Sequence, residues 1–157
     1  MKNIAIIGAG ISGLYIANLL SQNSDYQVRI YEKNDSVNLE KGYGIQLSVN
    51  SMKLLNQINF QKIRVEDKFH PHKLDFYSLK NNKKICDLDI SMFNSIDTKY
   101  TTLQRSTLIN FLKDELHENI IHYNKKVIKI NEAAENKEVS FEDGSSVKCD
   151  YLIISDG

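Results

Sequence analysis

The chain reads IAIIGAGISGLYIANLL over residues 4–20. A short apolar run that stops at glycine is typical of a buried parallel strand, and the apolar residues after Ser12 recur at helical spacing. The next segment, QVRIY at residues 27–31, reads as a second strand. A strand, a glycine turn, a helix and a strand within about 30 residues make one βαβ unit. This unit predicts an α/β fold with a parallel central sheet.

The turn between the first strand and the helix is a Gly-x-Gly-x-x-Gly motif. Gly8 permits the tight turn, Gly10 lets the backbone approach a pyrophosphate, and Gly13 lets the helix pack closely on the strand. The helix N-terminus offers N–H groups and a positive dipole end to phosphates. Glu32, 19 residues after Gly13, could accept hydrogen bonds from a ribose and would repel a 2′-phosphate. These features predict a dinucleotide site, and the alternative is a glycine-rich turn without a ligand.

A second glycine-rich segment, residues 42–50, places Tyr43 between two glycines and ahead of an apolar strand. Such glycines let the backbone pass close to a flat ligand, although composition alone favours an ordinary loop. Residues 48–58 read as a short helix. Residues 74–79 and 84–88 read as two strands around a turn.

Further along, Thr101 or Thr102 is predicted to cap a helix that runs to about His117. Arg105 then lies at the helix start, where the dipole favours anions rather than cations. One interpretation is therefore a specific anionic partner such as pyrophosphate, and the other is a solvated surface arginine. The Asp143-Gly144 pair between two alternating segments predicts a β-hairpin.

The last apolar run, Tyr151–Ile154, reads as a central strand and leads into Asp156-Gly157. An acid after a central parallel strand lies where α/β folds bind ligands, although these residues could equally form a turn. Because the chain stops on residues of a loop, the sequence predicts the front portion of a longer protein.

Composition excludes several classes of protein. The chain has 157 residues, enough for one domain with its own core, and Lys+Arg and Asp+Glu both number 20. The basic excess of a nucleic-acid-binding protein is therefore missing. An uninterrupted apolar run of about 18 residues, which a transmembrane helix needs, is also missing. Cys86 and Cys149 read as core thiols of a cytoplasmic protein, and His70 and His72 as surface histidines rather than metal ligands.

Taken in order, these segments resemble the FAD-dependent aromatic-ring monooxygenases, the para-hydroxybenzoate hydroxylase-like group. The resemblance covers residues 4–157. The glycine motif with Glu32 matches the family's first fingerprint, and residues 42–47 match its G-x-G-I-x-L segment. Arg105 and Leu108 match its Arg-x-x-Leu helix start. Residues 150–157 match its D-x-L-I-x-x-D-G strand and turn.

The resemblance implies a Rossmann-like FAD-binding βαβ fold with a parallel central sheet, an antiparallel β-meander and the start of a substrate-domain sheet. Residues 1–73 and 99–157 would form the FAD-binding domain, incomplete at its C-terminus. Residues 74–98 would begin the substrate-binding sheet. Family members continue further and carry a Gly-Asp motif that is not present here, so a truncated chain is expected.

The resemblance also implies where the cofactor binds. The glycine turn would hold the pyrophosphate, Glu32 the adenosine ribose, and the backbone of Val127 the adenine. Residues 43–46 would border the isoalloxazine ring, and Arg105 would contact the phosphates or the ribitol chain. Asp156 would lie near the pyrophosphate and is linked in this family to NAD(P)H use. The implied cofactor-binding residues are Gly8, Gly10, Ile11, Ser12, Gly13, Glu32, Lys33, Tyr43, Gly44, Ile45, Gln46, Arg105, Val127 and Asp156.

The implied reaction is reduction of FAD by NADH or NADPH, capture of O₂ as a flavin C4a-hydroperoxide, and hydroxylation of an electron-rich aromatic ring. No catalytic residue and no metal ligand is predicted. One alternative is a flavin-dependent reductase or halogenase relative, and another is a truncated nucleotide-binding fragment without activity. With half of the flavin pocket outside the chain, weak FAD binding is expected unless a second copy or another chain completes the site.

Overall fold

The computed structural model describes residues 1–37, 43–132 and 136–156. The chain divides into two compact units, one formed by Met1–Glu40 with Leu108–Gly157 and the other by Lys41–Thr107. The segment at residues 74–98 lies inside the second unit, and its role as the start of a substrate-binding sheet stays a prediction. Among the described residues, no helix is both long enough and apolar enough to cross a membrane.

The elements follow the sequence closely. In chain order the strands are β1 (Lys2–Ile7), β2 (Tyr26–Tyr31), β3 (Gly44–Leu47), β4 (Lys68–Phe69), β5 (Lys73–Tyr77), β6 (Lys84–Asp89), β7 (Thr101–Gln104), β8 (Ile121–His122), β9 (Val127–Glu132), β10 (Lys137–Phe141), β11 (Ser146–Cys149) and β12 (Tyr151–Ile154). The α-helices are α1 (Ile11–Leu20), α2 (Val49–Leu55) and α3 (Arg105–Asp114). Short 3₁₀ turns occur at Asn56–Ile58, Phe60–Lys62, Val65–Asp67 and Ser91–Phe93.

The first unit is built on a parallel four-stranded sheet in the order β12-β1-β2-β8. Strand β1 is paired on both sides, and its apolar residues from Ile4 to Ile7 are all buried, as the continuous apolar run predicted. The prediction that Tyr151–Ile154 is a central strand is wrong, because β12 lies at one edge of the described sheet. Tyr151 and Ile154 accordingly leave 55% and 59% of their surfaces exposed.

An antiparallel meander of β9, β10 and β11 packs against this sheet. Its β10–β11 turn carries Gly144 with φ +84°, which confirms the hairpin predicted from Asp143-Gly144. The apolar cluster shared by the meander and the sheet consists of Ala5, Ile7, Tyr31, Val139, Phe141 and Cys149. Removal of this apolar surface from water, at about 25 cal/mol per Å², is what holds the two layers together.

Helices α1 and α3 are joined inside the first unit by a buried asparagine. The Asn18 amide donates to the carbonyl oxygen of Leu14 at 2.9 Å and to that of Leu112 at 2.7 Å. Both amide hydrogens of this side chain are therefore used, which offsets the cost of burying it.

The second unit contains an antiparallel sheet in the order β3-β7-β4 and a separate β5–β6 hairpin. Helix α2 begins after Ser48, whose hydroxyl accepts from the backbone N–H of Ser51 at 3.4 Å. In the hairpin, Cys86 is paired with Phe76 and is exposed. The prediction of a core thiol is therefore wrong for Cys86, whereas Cys149 is buried as expected.

The predicted helix cap at Thr101 or Thr102 is also wrong. Both residues belong to β7, which pairs with β3 on one side and β4 on the other, and α3 begins only at Arg105. Thr101 is fully buried, and its hydroxyl donates to the carbonyl oxygen of Lys99 at 2.8 Å rather than to a helix end. Because β7 pairs with β3 on one edge and with β4 on the other, the backbone N–H and C=O groups of this segment find hydrogen-bond partners in a sheet and not in a helix.

Candidate dinucleotide-binding site

Gly8 forms the turn at the carboxyl end of β1 in a conformation that favours glycine. Its φ is +97°, and its N–H donates to the carbonyl oxygen of Tyr31 at 2.9 Å. A Cβ at this position would lie 2.5 Å from the carbonyl oxygen of Ser155. Backbone conformation and space therefore both require the glycine here.

Gly13 and Gly10 differ in the space that a side chain would have. A Cβ on Gly13 would lie only 2.0 Å from the carbonyl oxygen of Gly8, so the close packing of α1 on the turn requires this glycine. A Cβ on Gly10 would meet no described atom within 4 Å. Packing within the described chain therefore does not require Gly10, but the open space beside it leaves room for a ligand that must approach the backbone closely.

The N-terminus of α1 lacks a protein cap among the described residues. Gly10 is the N-cap residue, so no side-chain oxygen accepts from the first turn, and the first turn carries no acidic residue. Ile11 and Ser12 belong to this turn, where the dipole and the N–H groups favour an anion. The chemistry of this helix end therefore fits a phosphate group.

The carboxylate of Glu32 is bonded to the glycine turn. One oxygen, Oε2, accepts from the backbone N–H of Ala9 at 2.8 Å, while Oε1 accepts from the backbone N–H of Asn34 at 3.0 Å and from its Nδ2 at 2.8 Å. Glu32 is only 8% exposed. These three bonds fix the carboxylate beside the turn and, within the described residues, use three of its roughly four acceptor positions.

The turn between β8 and β9 supports the end of β2. The N–H of Asn124 donates to the carbonyl oxygen of Asn34 at 3.0 Å, and that of Lys125 donates to the carbonyl oxygen of Glu32 at 2.8 Å. The Lys125 ammonium is held in turn by Asp143 at 2.6 Å. Val127 follows as the first residue of β9, half-buried against the apolar cluster. Lys33, which stands between Glu32 and Asn34 in the sequence, is exposed.

The segment after β12 reaches the same glycine turn. The N–H of Ser155 donates to the carbonyl oxygen of Ile7 at 2.8 Å. The Cα of Asp156 lies 3.1 Å from the position that a Cβ on Gly8 would take. Asp156 is exposed, and Gly157 lies outside the described residues. The first unit therefore brings together Gly8, Gly10, Ile11, Ser12, Gly13, Glu32 and Asp156.

Lys33 and Val127 also belong to the first unit, and the remaining predicted site residues lie in the second unit. Tyr43 is 51% exposed, and its carbonyl oxygen accepts from the backbone N–H of Arg105 at 3.3 Å. Gly44, Ile45 and Gln46 form β3, and the Gln46 Oε1 accepts from the Tyr100 hydroxyl at 2.8 Å. The structure thus links the start of β3 to the start of α3. Gly42, the first glycine of this predicted segment, lies outside the described residues.

The sequence prediction missed the partners of Glu32. Asn34 contributes two hydrogen bonds to the carboxylate, and Ala9 contributes a third from inside the motif. The only local signal was an asparagine two residues after the acid, at a position where the fingerprint specifies nothing. Asn124, with φ +56°, is likewise a turn residue whose partner is distant in sequence.

His70 and His72, predicted to be surface histidines, lie in the second unit. Within residues 1–37, 43–132 and 136–156, no group of three or more His, Cys, Asp or Glu side chains could hold a metal ion. The Nδ1 atom of His70 instead lies 3.1 Å from the Thr101 hydroxyl, and His72 is exposed.

Comparison with known proteins identifies relatives of the same kind. A family model described as an NAD(P)-binding Rossmann-like domain matches residues 6–39. The chain is 26% identical over 156 residues to the 6-hydroxynicotinate 3-monooxygenase of Pseudomonas fluorescens. This alignment covers 98% of the chain and 40% of that relative. The chain is also 26% identical over 160 residues to a salicylate hydroxylase of Pseudomonas putida. That alignment covers 98% of the chain and 35% of the hydroxylase.

Solved structures share the fold. The Klebsiella pneumoniae HpxO structure complexed with FAD and uric acid matches with a TM-score of 0.82 at 23% identity, over 99% of this chain and 39% of that one. A salicylate hydroxylase substrate complex matches with a TM-score of 0.78 at 21% identity, over 99% and 36%. These structures confirm the predicted α/β fold, and the two relatives named above bear out the resemblance to aromatic-ring monooxygenases. The chain spans about 40% or less of the length of these relatives.

Proposed function

We propose that this chain binds FAD through its first unit and forms the FAD-binding part of a monooxygenase. The proposed enzyme hydroxylates an aromatic or similar electron-rich ring with O₂ and with NADH or NADPH as the electron donor. Three features support the proposal: the monooxygenase and hydroxylase names of the relatives, the FAD in a structural neighbour, and the chemistry of the glycine turn.

The proposed binding of the ADP half follows from groups in the first unit. The N–H groups at the start of α1 would donate to the pyrophosphate, and the open space at Gly10 would let it approach. Glu32 would accept a hydrogen bond from the ribose, and its negative charge would disfavour a 2′-phosphate. The backbone of Val127 would border the adenine, with Lys33 and Asp156 at the rim of the site.

The second unit would serve the flavin end. We assign Tyr43, Gly44, Ile45 and Gln46 to the border of the flavin ring and Arg105 to the phosphates or the ribityl chain. When bound, FAD supplies the redox chemistry that links nicotinamide oxidation to O₂ activation, while the protein binds, orients and excludes water. We also propose that residues 74–98 begin a substrate-binding sheet and that the protein works in the cytoplasm.

The observation that carries the proposal is the bond between Glu32 and the N–H of Ala9, at 2.8 Å inside the glycine motif. It joins the acid expected to read the ribose to the turn expected to hold the pyrophosphate. A glycine-rich turn that served the fold alone would need Gly8 and Gly13 for packing, but not an open position at Gly10.

Two measurements test the proposal. Calorimetric titration with ADP tests the nucleotide site, and we expect saturable 1:1 binding that ADP carrying a 2′-phosphate does not reproduce. Oxidation of NADH or NADPH in the presence of FAD and a hydroxylated pyridine or benzoate, with analysis of the ring product, tests the reaction. Absence of ADP binding would contradict the nucleotide site. ADP binding with FAD reduction but no ring hydroxylation would favour the reductase alternative.

A further inference from the structure

We propose that Asn34 is a positioning residue that orients the Glu32 carboxylate toward the ribose of the bound adenosine. The inference rests on the proposed binding of an adenine dinucleotide in the first unit. It adds a determinant of ribose recognition that lies outside the glycine motif and is not itself expected to touch the ligand.

The geometry places three donors on the two oxygens of Glu32. The Ala9 N–H binds Oε2, and the backbone N–H and Nδ2 of Asn34 both bind Oε1, at 2.8, 3.0 and 2.8 Å. Two of these donors belong to the backbone and survive any substitution other than proline. The Nδ2 bond is the one that depends on the identity of residue 34.

Hydrogen bonds of this kind matter because the terminal torsion of a glutamate is broad. A carboxylate that can rotate presents its open acceptor position in many directions, and a ligand must then pay the entropy of fixing it. The Asn34 amide adds a third restraint on this rotation, beside the two backbone N–H donors, before the ligand arrives. Pre-organisation of this kind raises affinity without adding a contact to the ligand.

The backbone of Asn34 is itself held in place by the β8–β9 turn. Its carbonyl oxygen accepts from the N–H of Asn124 at 3.0 Å, in a turn where Asn124 adopts φ +56°. The next residue, Lys125, donates its N–H to the carbonyl oxygen of Glu32 at 2.8 Å. The β8–β9 turn thus fixes the backbone of both residues of the pair, so the Asn34 amide acts from a defined position.

The test compares ADP with 2′-deoxy-ADP as probes, by calorimetry on the whole chain. We expect the wild type to bind ADP about tenfold more tightly than 2′-deoxy-ADP, as a hydrogen bond to a charged acceptor predicts. In Asn34→Ala this ratio should fall to about two or less, because ADP binding weakens while 2′-deoxy-ADP binding changes little. Thermal unfolding monitored by circular dichroism checks that the variant is folded.

Two further variants distinguish the effect of losing the Nδ2 donor from the effect of changing the shape of the side chain. Asn34→Asp keeps the size of the side chain but loses the N–H donor, so it should also lose the preference for ADP. Asn34→Gln keeps the donor on a longer arm and should retain part of the preference. Asn23→Ala is the matched control, since it removes an exposed asparagine side chain whose Oδ1 accepts a local turn bond from the Asp25 N–H at 2.9 Å.

The possible results distinguish the two proposals. If folded Asn34→Ala weakens both nucleotides equally, or leaves the ratio unchanged, the positioning role is overturned while the nucleotide site stands. If the wild type binds ADP but does not distinguish it from 2′-deoxy-ADP, the positioning role is overturned as well. If the wild type does not bind ADP at all, the proposed function fails and this inference fails with it.

Discussion

At the residue scale, the three motif glycines differ in what a methyl group would meet. A Cβ on Gly13 would lie 2.0 Å from a carbonyl oxygen, and one on Gly8 2.5 Å from another, whereas one on Gly10 would meet no described atom within 4 Å. Gly8 and Gly13 are therefore needed for the fold, whereas we propose that Gly10 serves ligand binding. Substitutions at Gly13 and Gly10 should separate the two roles.

Gly13→Ala should destabilise the fold. The methyl group cannot fit without moving α1 away from the turn at Gly8, and overpacking of this kind costs on the order of 3 kcal/mol. Urea unfolding followed by circular dichroism measures the change, and ADP affinity should fall with it. Unchanged stability would mean that α1 packs less closely on the turn than described.

Gly10→Ala should leave the fold intact and weaken nucleotide binding. The backbone at Gly10, with φ −76°, accepts an alanine, so we expect a stability change of about 1 kcal/mol or less. ADP affinity should fall at least about tenfold, because the methyl group would occupy the space proposed for the pyrophosphate. Normal ADP binding by this variant would contradict the placement of the pyrophosphate.

Glu32→Gln should affect stability as well as binding. Three N–H donors point at the two carboxylate oxygens, and an amide has only one oxygen, so its NH₂ group must face a donor. An unsatisfied buried donor costs about 1–3 kcal/mol, measurable by urea unfolding at pH 7. Glu142→Gln is the control, because the Glu142–Lys126 pair is exposed and should contribute about 0.5 kcal/mol or less.

At the element scale, the short strand β8 is attached to β2 through an aromatic stack. The rings of Tyr31 and His122 are stacked with centroids 5.3 Å apart, and Tyr31 also contacts Phe141 at 4.9 Å. Among the described residues, the Nε2 atom of His122 is buried without a hydrogen-bond partner. Burial, reinforced by the positive charges of Arg29 and Lys125, lowers the pKa of His122 below its usual 6.5.

This stack predicts a loss of stability on mild acidification. Because the folded-state pKa of His122 is lowered, the neutral imidazole contributes its full share to the free energy of unfolding above about pH 6.5. This contribution declines as the pH falls toward the lower folded-state pKa. His122→Phe keeps a ring on Tyr31 but cannot take up a proton. Its Tm should therefore fall less than that of the wild type between pH 7.5 and 5.5. Parallel Tm profiles of the two proteins would exclude a role for His122.

At the scale of the whole molecule, the residues proposed for the ADP half lie in the unit formed by Met1–Glu40 and Leu108–Gly157. Those proposed for the flavin ring, and Arg105, lie in the other unit. The chain also spans about 40% or less of the length of its relatives. The residues proposed for ADP therefore all belong to one compact unit, in which Tyr151 and Ile154 on the edge strand β12 are exposed.

We therefore expect FAD to bind to the 157-residue chain with an affinity within about tenfold of that of ADP. FAD should also dissociate during gel filtration, leaving a colourless protein peak. Absorbance at the flavin wavelengths across the protein peak makes the measurement, and the elution volume reports association in the same run. Stoichiometric FAD in the peak would show that this chain, alone or as a dimer, completes the flavin site.

The sequence by itself determined the features that depend on near neighbours along the chain. The glycine turn, α1, the strands around them and the Asp143-Gly144 hairpin followed from local spacing and backbone preference, and the order of motifs led to the fold and the family resemblance. The position of Glu32 was predicted for the same reason, because the length of a βαβ unit fixes where the second strand ends.

Only the tertiary structure decided what depends on partners distant in sequence. Thr101 became part of a strand because β3 and β4 pair with it, and Tyr151–Ile154 became an edge because the sheet continues on one side only in the described residues. The bond from the Ala9 N–H to Glu32 and the bond from the Asn124 N–H to the Asn34 carbonyl oxygen also join separate segments. Local propensity does not encode such contacts, since they form only when the packed sheet brings the segments together.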